Sequence, residues 1–120
     1  MPSTDEIVIY HNPRCSKSRA TLDLLRANGI EPRVVEYLKT PPSQAEMEQI
    51  LDALGMEPRD LMRQHEVEYE QAALDDPGLT RSTLILAMLQ RPKLIERPIV
   101  VRGRRAAIGR PPENVLEILA

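Results

Sequence analysis

The run Ile7-Val8-Ile9-Tyr10-His11-Asn12-Pro13-Arg14-Cys15-Ser16-Lys17-Ser18-Arg19 decides how this chain is read. Ile7 to Tyr10 is a short apolar stretch with the character of a buried strand. A helical pattern follows over about residues 16–28, with Leu22 and Leu25, beside Ala20 and Leu24, as its apolar stripe. Gly29 suits the helix stop. Residues 33–37, around Val34-Val35, read as a second strand. Strand, helix and strand within about thirty residues make a βαβ unit, which implies a parallel pair with a right-handed crossover.

That unit places Cys15, the single cysteine, at or near the first turn of a helix. Unpaired N–H groups and the positive end of the helix dipole favour a thiolate there. Arg14, Lys17 and Arg19 crowd the same turn, and His11 lies four residues upstream. A sulfur so placed is a nucleophile, and its surroundings attract anions. A lone cysteine is otherwise a small buried hydrophobe; the strand–turn–helix context and the local charge decide against that reading here.

The other totals narrow the field. With 120 residues, the chain is expected to be one domain with a modest core. It holds no Phe or Trp and three Tyr, so Leu, Ile, Val, Met and Ala must build the core. Few aromatics and a formal net charge of −2 argue against a nucleic-acid surface and against attraction to anionic membranes. Residues 44–76 hold ten acidic side chains against two basic ones, Arg59 and Arg63; residues 91–110 hold seven basic against one acidic, Glu96. One cysteine forms no internal disulfide, and two distant histidines give no metal spacing, so no metal and no bound cofactor are expected. The start of the chain is polar without a charged-then-apolar signal, and no apolar run approaches the ~20 residues of a membrane span. A cytoplasmic location is the expectation.

After the βαβ unit, Pro41-Pro42 breaks the pattern, and Ser43 with Glu46 forms a capping box. Met47, Ile50, Leu51 and Leu54 then give a helical face closed by Gly55. Residues 58–74 read as one or two short helices. Asp76-Pro77-Gly78 is a turn, and Thr80 caps a helix over about residues 81–90 with Leu84, Ile85, Met88 and Leu89 inward. Ile99-Val100-Val101 and residues 105–108 form a hairpin about Gly103. Pro111-Pro112 starts a closing helix with Val115, Leu116 and Leu119 inward. The order βαβ, then a helical insertion over about residues 43–91, then ββα is that of an α/β, thioredoxin-like fold.

The motif His11-x-x-x-Cys15-x-x-x-Arg19 resembles the active-site signature of the glutaredoxin-coupled arsenate reductases, and the similarity runs across nearly the whole chain. The segment from Glu36 to Pro42, the run Asp60-Leu61-Met62-Arg63, the run from Glu96 to Val101 and the run Ile108-Gly109-Arg110-Pro111-Pro112 each resemble a segment of that family. The chain ends at Ala120, which resembles the family's compact bacterial members. The resemblance implies Cys15 as catalytic nucleophile, His11 and Arg19 as thiolate-stabilising groups, and Arg63, Arg97 and Arg110 as an oxyanion cradle. Arginine suits that task because its paired donors match oxyanion geometry and its charge is permanent. In this fold the proline facing the cysteine is commonly cis, which predicts a cis bond between Arg97 and Pro98.

The implied activity is reduction of arsenate to arsenite, with glutathione as co-substrate and glutaredoxin as partner. Without a second cysteine the protein cannot resolve its own oxidised sulfur, so an external thiol is required. Two other readings stand beside this one. The first is a glutathione-dependent reductase or thiol transferase acting on another small molecule. The second is a redox-related regulator that binds RNA polymerase; Ser18 occupies the place where such regulators carry a second cysteine. Tyr10, His65 and Tyr69 are read as structural, Lys17, Arg102, Arg104 and Arg105 as solvated, and Arg14 and Ser18 as contributors near the loop.

Overall fold

A computed structural model describes residues 6–119; the polar start of the chain, before Glu6, and the terminal Ala120 lie outside them. The chain forms two compact units. Of the described residues, one comprises 6–40 and 97–119, and the other is Pro41–Glu96.

The first unit is built on a four-stranded sheet. Strand β1 (Ile7–His11) leads to helix α1 (Ser16–Ala27), and β2 (Arg33–Glu36) returns beside β1 in parallel. The turn between α1 and β2 uses Gly29 at φ 79°, a left-handed conformation that costs glycine nothing. Strands β3 (Ile99–Arg102) and β4 (Arg105–Ile108) form the expected hairpin, and β3 lies antiparallel to β1. The sheet order is β2-β1-β3-β4. The β1–β3 pairing, with Ile9 opposite Val100 and Tyr10 opposite Ile99, carries the start of β3 to the end of β1. Residues separated by most of the chain therefore meet at the N-terminal end of α1. Ile9, Leu22, Leu25, Val100, Val115 and Ile118 form the core of this unit.

The closing segment departs from expectation. Pro112–Ile118 is a 3₁₀ helix rather than an α-helix. With three residues per turn, positions i and i+3 eclipse, so Val115 and Ile118 point inward while Leu116 is 39% exposed. Two arginines read as solvated hold this segment. Arg102 Nη1 donates to the carbonyls of Ile118 (3.2 Å) and Leu119 (2.8 Å), and Arg105 Nη2 donates to the carbonyl of Glu117. They supply the donors that the last carbonyls of a helix otherwise lack. In α1, Ala20 is exposed, and the buried face consists of Ser18, Thr21, Leu22 and Leu25.

In the second unit, α2 (Gln44–Leu54) begins at the Ser43–Glu46 capping box and ends at Gly55 in the left-handed region. A 3₁₀ turn, Pro58–Leu61, precedes the short α3 (Val67–Gln71), and α4 (Arg81–Gln90) is capped by Thr80. A further 3₁₀ turn, Pro92–Leu94, leads out of α4. The α4 face holds Leu84, Ile85, Ala87 and Met88, with Leu89 only half-buried. Met47, Leu51, Leu61, Ile85, Met88 and Leu94 are fully buried here. Among the described residues, no helix is long and apolar enough to cross a membrane.

Candidate active site

Cys15 is the N-cap residue of α1, with extended backbone (φ −94°, ψ 123°) and a half-buried thiol. Asn12 shapes the loop that delivers it. Its carbonyl accepts the Cys15 N–H (3.0 Å), and its Oδ1 accepts the Arg14 N–H (3.0 Å), an Asx turn. Arg19 clamps the same loop, donating through Nη1 to the Pro13 carbonyl (3.0 Å).

Opposing influences set the thiol's ionisation. Burial is the largest and pushes its pKa up; the N–H groups of Ser18 and Lys17, then the Arg97 guanidinium by charge and by hydrogen bond, push it down. The downward influences together win, so the thiol ionises below its ordinary range. Sγ makes no close side-chain cap on the helix. The two N–H groups instead stabilise the thiolate as the first, otherwise unpaired donors of α1.

The hairpin contributes the cations. Arg97 precedes β3, with Nε and Nη1 shielded from solvent. Arg110 follows β4, and its Nη2 lies 3.6 Å from Cys15 Sγ. Arg110 Nε donates to the Arg97 carbonyl (2.8 Å), so one arginine's backbone aims the other's side chain. The Arg97–Pro98 and Arg110–Pro111 bonds are both cis. Between these residues Gly109 packs tightly: its N–H donates to the Pro98 carbonyl (2.9 Å), and an added Cβ would meet the Thr21 side chain and approach Pro98 Cγ to 2.8 Å. Thr21, on α1, donates to the Lys17 carbonyl (2.8 Å) and approaches the Gly109 carbonyl (3.4 Å).

His11 ends β1 and is buried; its Nδ1 lies 2.7 Å from Ser18 Oγ. The Asn12 N–H donates to the same hydroxyl (3.0 Å). Burial is the main cause lowering the His11 pKa; Glu36 opposes it, and Arg26 and Arg19 add to it. Burial thus favours the neutral imidazole. Arg63 belongs to the second unit, where it pairs with Glu66 (2.6 Å) and its N–H donates to the Leu94 carbonyl (2.7 Å).

The structure therefore brings Cys15, Arg97 and Arg110 together, with His11 bonded to Ser18, whose backbone N–H acts on the thiol, and Arg19 on α1 holding the loop before the cysteine. Sequence reasoning gave too little weight to Ser18. A serine two residues past the helix start, on the face that Leu22 and Leu25 share, was the available signal. Gly109 and Thr21 carried no signal of their own. Among the described residues, no group of three or more His, Cys, Asp or Glu is placed to hold a metal ion.

A family model described as the ArsC family matches residues 10–118. A curated Escherichia coli protein named YfgD is 56% identical over 97% of this chain and 98% of its own length. The Neisseria meningitidis protein named arsenate reductase is 47% identical, covering 95% of this chain and 98% of its own. Among solved structures, an arsenate reductase from Vibrio cholerae superposes with a TM-score of 0.92 at 50% identity, covering 97% of this chain and 99% of that one. The sheet and its helices are those of the thioredoxin-like fold. With the match spanning nearly every described residue, this chain belongs to the ArsC family.

Proposed function

We propose that this protein reduces arsenate to arsenite through the Cys15 thiolate, with glutathione and glutaredoxin supplying the electrons. The observation that carries the reading is the pairing of an easily ionised sulfur with two guanidinium groups, Arg110 at 3.6 Å and Arg97 as a further partner of the thiol. Arsenate is largely dianionic near neutral pH, and its approach to a thiolate is electrostatically uphill. Fixed arginine donors offset that repulsion and match the oxyanion's geometry. Arg63 is assigned as the third oxyanion-binding arginine on the resemblance of its own segment.

The reaction proceeds in three stages. The Cys15 thiolate attacks arsenic(V), forming a sulfur–arsenic bond as hydroxide or water departs. The glutathione thiolate then attacks the Cys15 sulfur. The sulfur–arsenic bonding pair passes to arsenic, which becomes trivalent, and a Cys15–glutathione disulfide forms. Glutaredoxin finally takes up the glutathione by thiol–disulfide exchange, restoring the thiol. Arg97 and Arg110 stabilise the anionic oxygens in the first stage and the thiolate before and after the cycle.

A thiol transferase acting on neutral disulfides has less use for this cation pair. A cysteine-pair redox switch lacks its second sulfur, since Ser18 occupies that place and is bound to His11. Steady-state reduction of arsenate with glutathione and glutaredoxin tests the proposal. Wild type turns over and Cys15→Ser does not; a correctly folded wild type that stays silent overturns it.

A further inference from the structure

The hydrogen bonds around Ser18 determine where its hydroxyl proton goes. The hydroxyl is fully buried and has two polar neighbours among the described hydrogen bonds, the Asn12 N–H at 3.0 Å and His11 Nδ1 at 2.7 Å. Asn12 donates, so it occupies a lone pair of Oγ and cannot receive the proton. Among the described hydrogen bonds His11 Nδ1 is the acceptor within reach of the hydroxyl hydrogen, and a buried hydroxyl without an acceptor is costly, so the favoured arrangement has Nδ1 bare and the ring proton on Nε2. We infer that Ser18 is a positioning residue for the reactive cysteine, and that His11 serves it as a neutral acceptor rather than as a cation facing the thiolate.

The chain of contacts runs in one direction. His11 Nδ1 accepts from the Ser18 hydroxyl, Asn12 donates to it, and the Ser18 backbone N–H is the first of the donors that favour the Cys15 thiolate. Asn12 also accepts the Cys15 N–H through its carbonyl, so one buried hydroxyl ties the loop before the cysteine to the turn after it. The charged groups acting on His11 support this assignment. Glu36 on the neighbouring strand favours the imidazolium, but burial outweighs it, and Arg26 and Arg19 oppose it as well. A protonated ring would make Oγ the acceptor of Nδ1–H and leave the buried hydroxyl hydrogen without a described acceptor.

The inference rests on the Cys15 thiolate reading but is tested without arsenate, so its failure and the failure of the arsenate assignment are distinguishable. Nitrogen-15 spectra of the wild-type protein report the His11 ring directly, with His65→Gln used to assign the two histidines. The expected result is a neutral Nε2–H tautomer at pH 7. A protonated Nδ1, in imidazolium or in the other tautomer, overturns the inference.

The thiol titration, followed by pH-dependent alkylation, is the second readout. Ser18→Ala raises the Cys15 midpoint by about 0.5–1 unit, which is roughly a three- to tenfold loss of thiolate below the midpoint. His11→Asn places an amide oxygen near the Nδ1 position and keeps the midpoint within ~0.3 unit of wild type, whereas His11→Ala raises it as Ser18→Ala does. If His11→Asn costs as much as His11→Ala, the histidine acts by charge and the inference fails.

Discussion

Arg110 Nη2 lies 3.6 Å from Cys15 Sγ although 95 positions separate the two residues in the chain. The contact depends on the β3–β4 hairpin lying beside β1, and on the Arg97 carbonyl that holds Arg110 Nε at 2.8 Å. Arg110→Lys keeps the charge but loses this two-point hold. The expected outcome is a fall of about 10- to 100-fold in kcat/KM for arsenate, together with a higher thiol pKa. Steady-state kinetics and pH-dependent alkylation check it; unchanged values in both would mean the guanidinium fork is dispensable.

Gly109 has no room for a side chain between Thr21 and Pro98. In Gly109→Ala the loop must shift, at a cost of about 1–3 kcal/mol. Because residue 110 follows directly, the shift also moves Arg110 away from the sulfur. A lower denaturation midpoint accompanied by slower alkylation at neutral pH is expected. A stability loss with unaltered alkylation would separate the glycine from the site.

Two titrations, of buried His11 and half-buried Cys15, give stability a defined pH dependence. Burial lowers the His11 pKa, so the folded protein resists protonating this ring while the unfolded chain does not. Stability therefore declines as pH falls below the ordinary histidine value of ~6.5 toward the lowered folded value. His11→Asn removes that decline. The Cys15 thiol also ionises more easily when folded, so its contribution grows as pH rises through the folded value toward the ordinary thiol range, and Cys15→Ser removes the gain. Denaturant titrations of the three proteins across pH 5–9 read both effects; parallel profiles would contradict them.

Arg102 ties the end of the closing 3₁₀ segment to β3 through the carbonyls of Ile118 and Leu119. Arg102→Ala leaves those carbonyls to water and is expected to cost about 1 kcal/mol, seen as a Tm lower by several degrees. The thiol titration is expected to stay as in wild type, because Arg102 pairs with Ile7, at the opposite end of β1 from His11 and the loop that follows it.

The parts of this fold that follow from local chemistry were legible in the sequence. The Ile7–Tyr10 apolar run, Gly29 and Val34-Val35 specify β1, α1 and β2, and the Ser43–Glu46 pair and Thr80 mark the starts of α2 and α4. Legibility ended where the partner is a backbone atom. Arg102, Arg105 and Arg110 all donate to main-chain carbonyls, which leave no trace in residue identity, so two of these arginines read as solvated. The same limit applied to the helix period of residues 112–118. Its spacing fits α and 3₁₀ turns about equally, and only packing against the sheet selects the tighter one. At the site, Cys15 could be recognised from its strand–turn–helix setting. Ser18 could be placed on the inward face of that helix, but its role depends on His11 and Asn12 closing on one hydroxyl.

Stabilising the anionic form of Cys15 also affects how readily that sulfur is released. In exchange between thiols and disulfides, the departing sulfur leaves faster the lower its pKa. Any mixed disulfide at Cys15 therefore has a built-in direction of cleavage: an incoming thiol that attacks the outer sulfur expels a Cys15 anion already provided with the amides of Lys17 and Ser18 and the guanidinium of Arg97. The protein is thus primed to discharge its adduct as well as to form it.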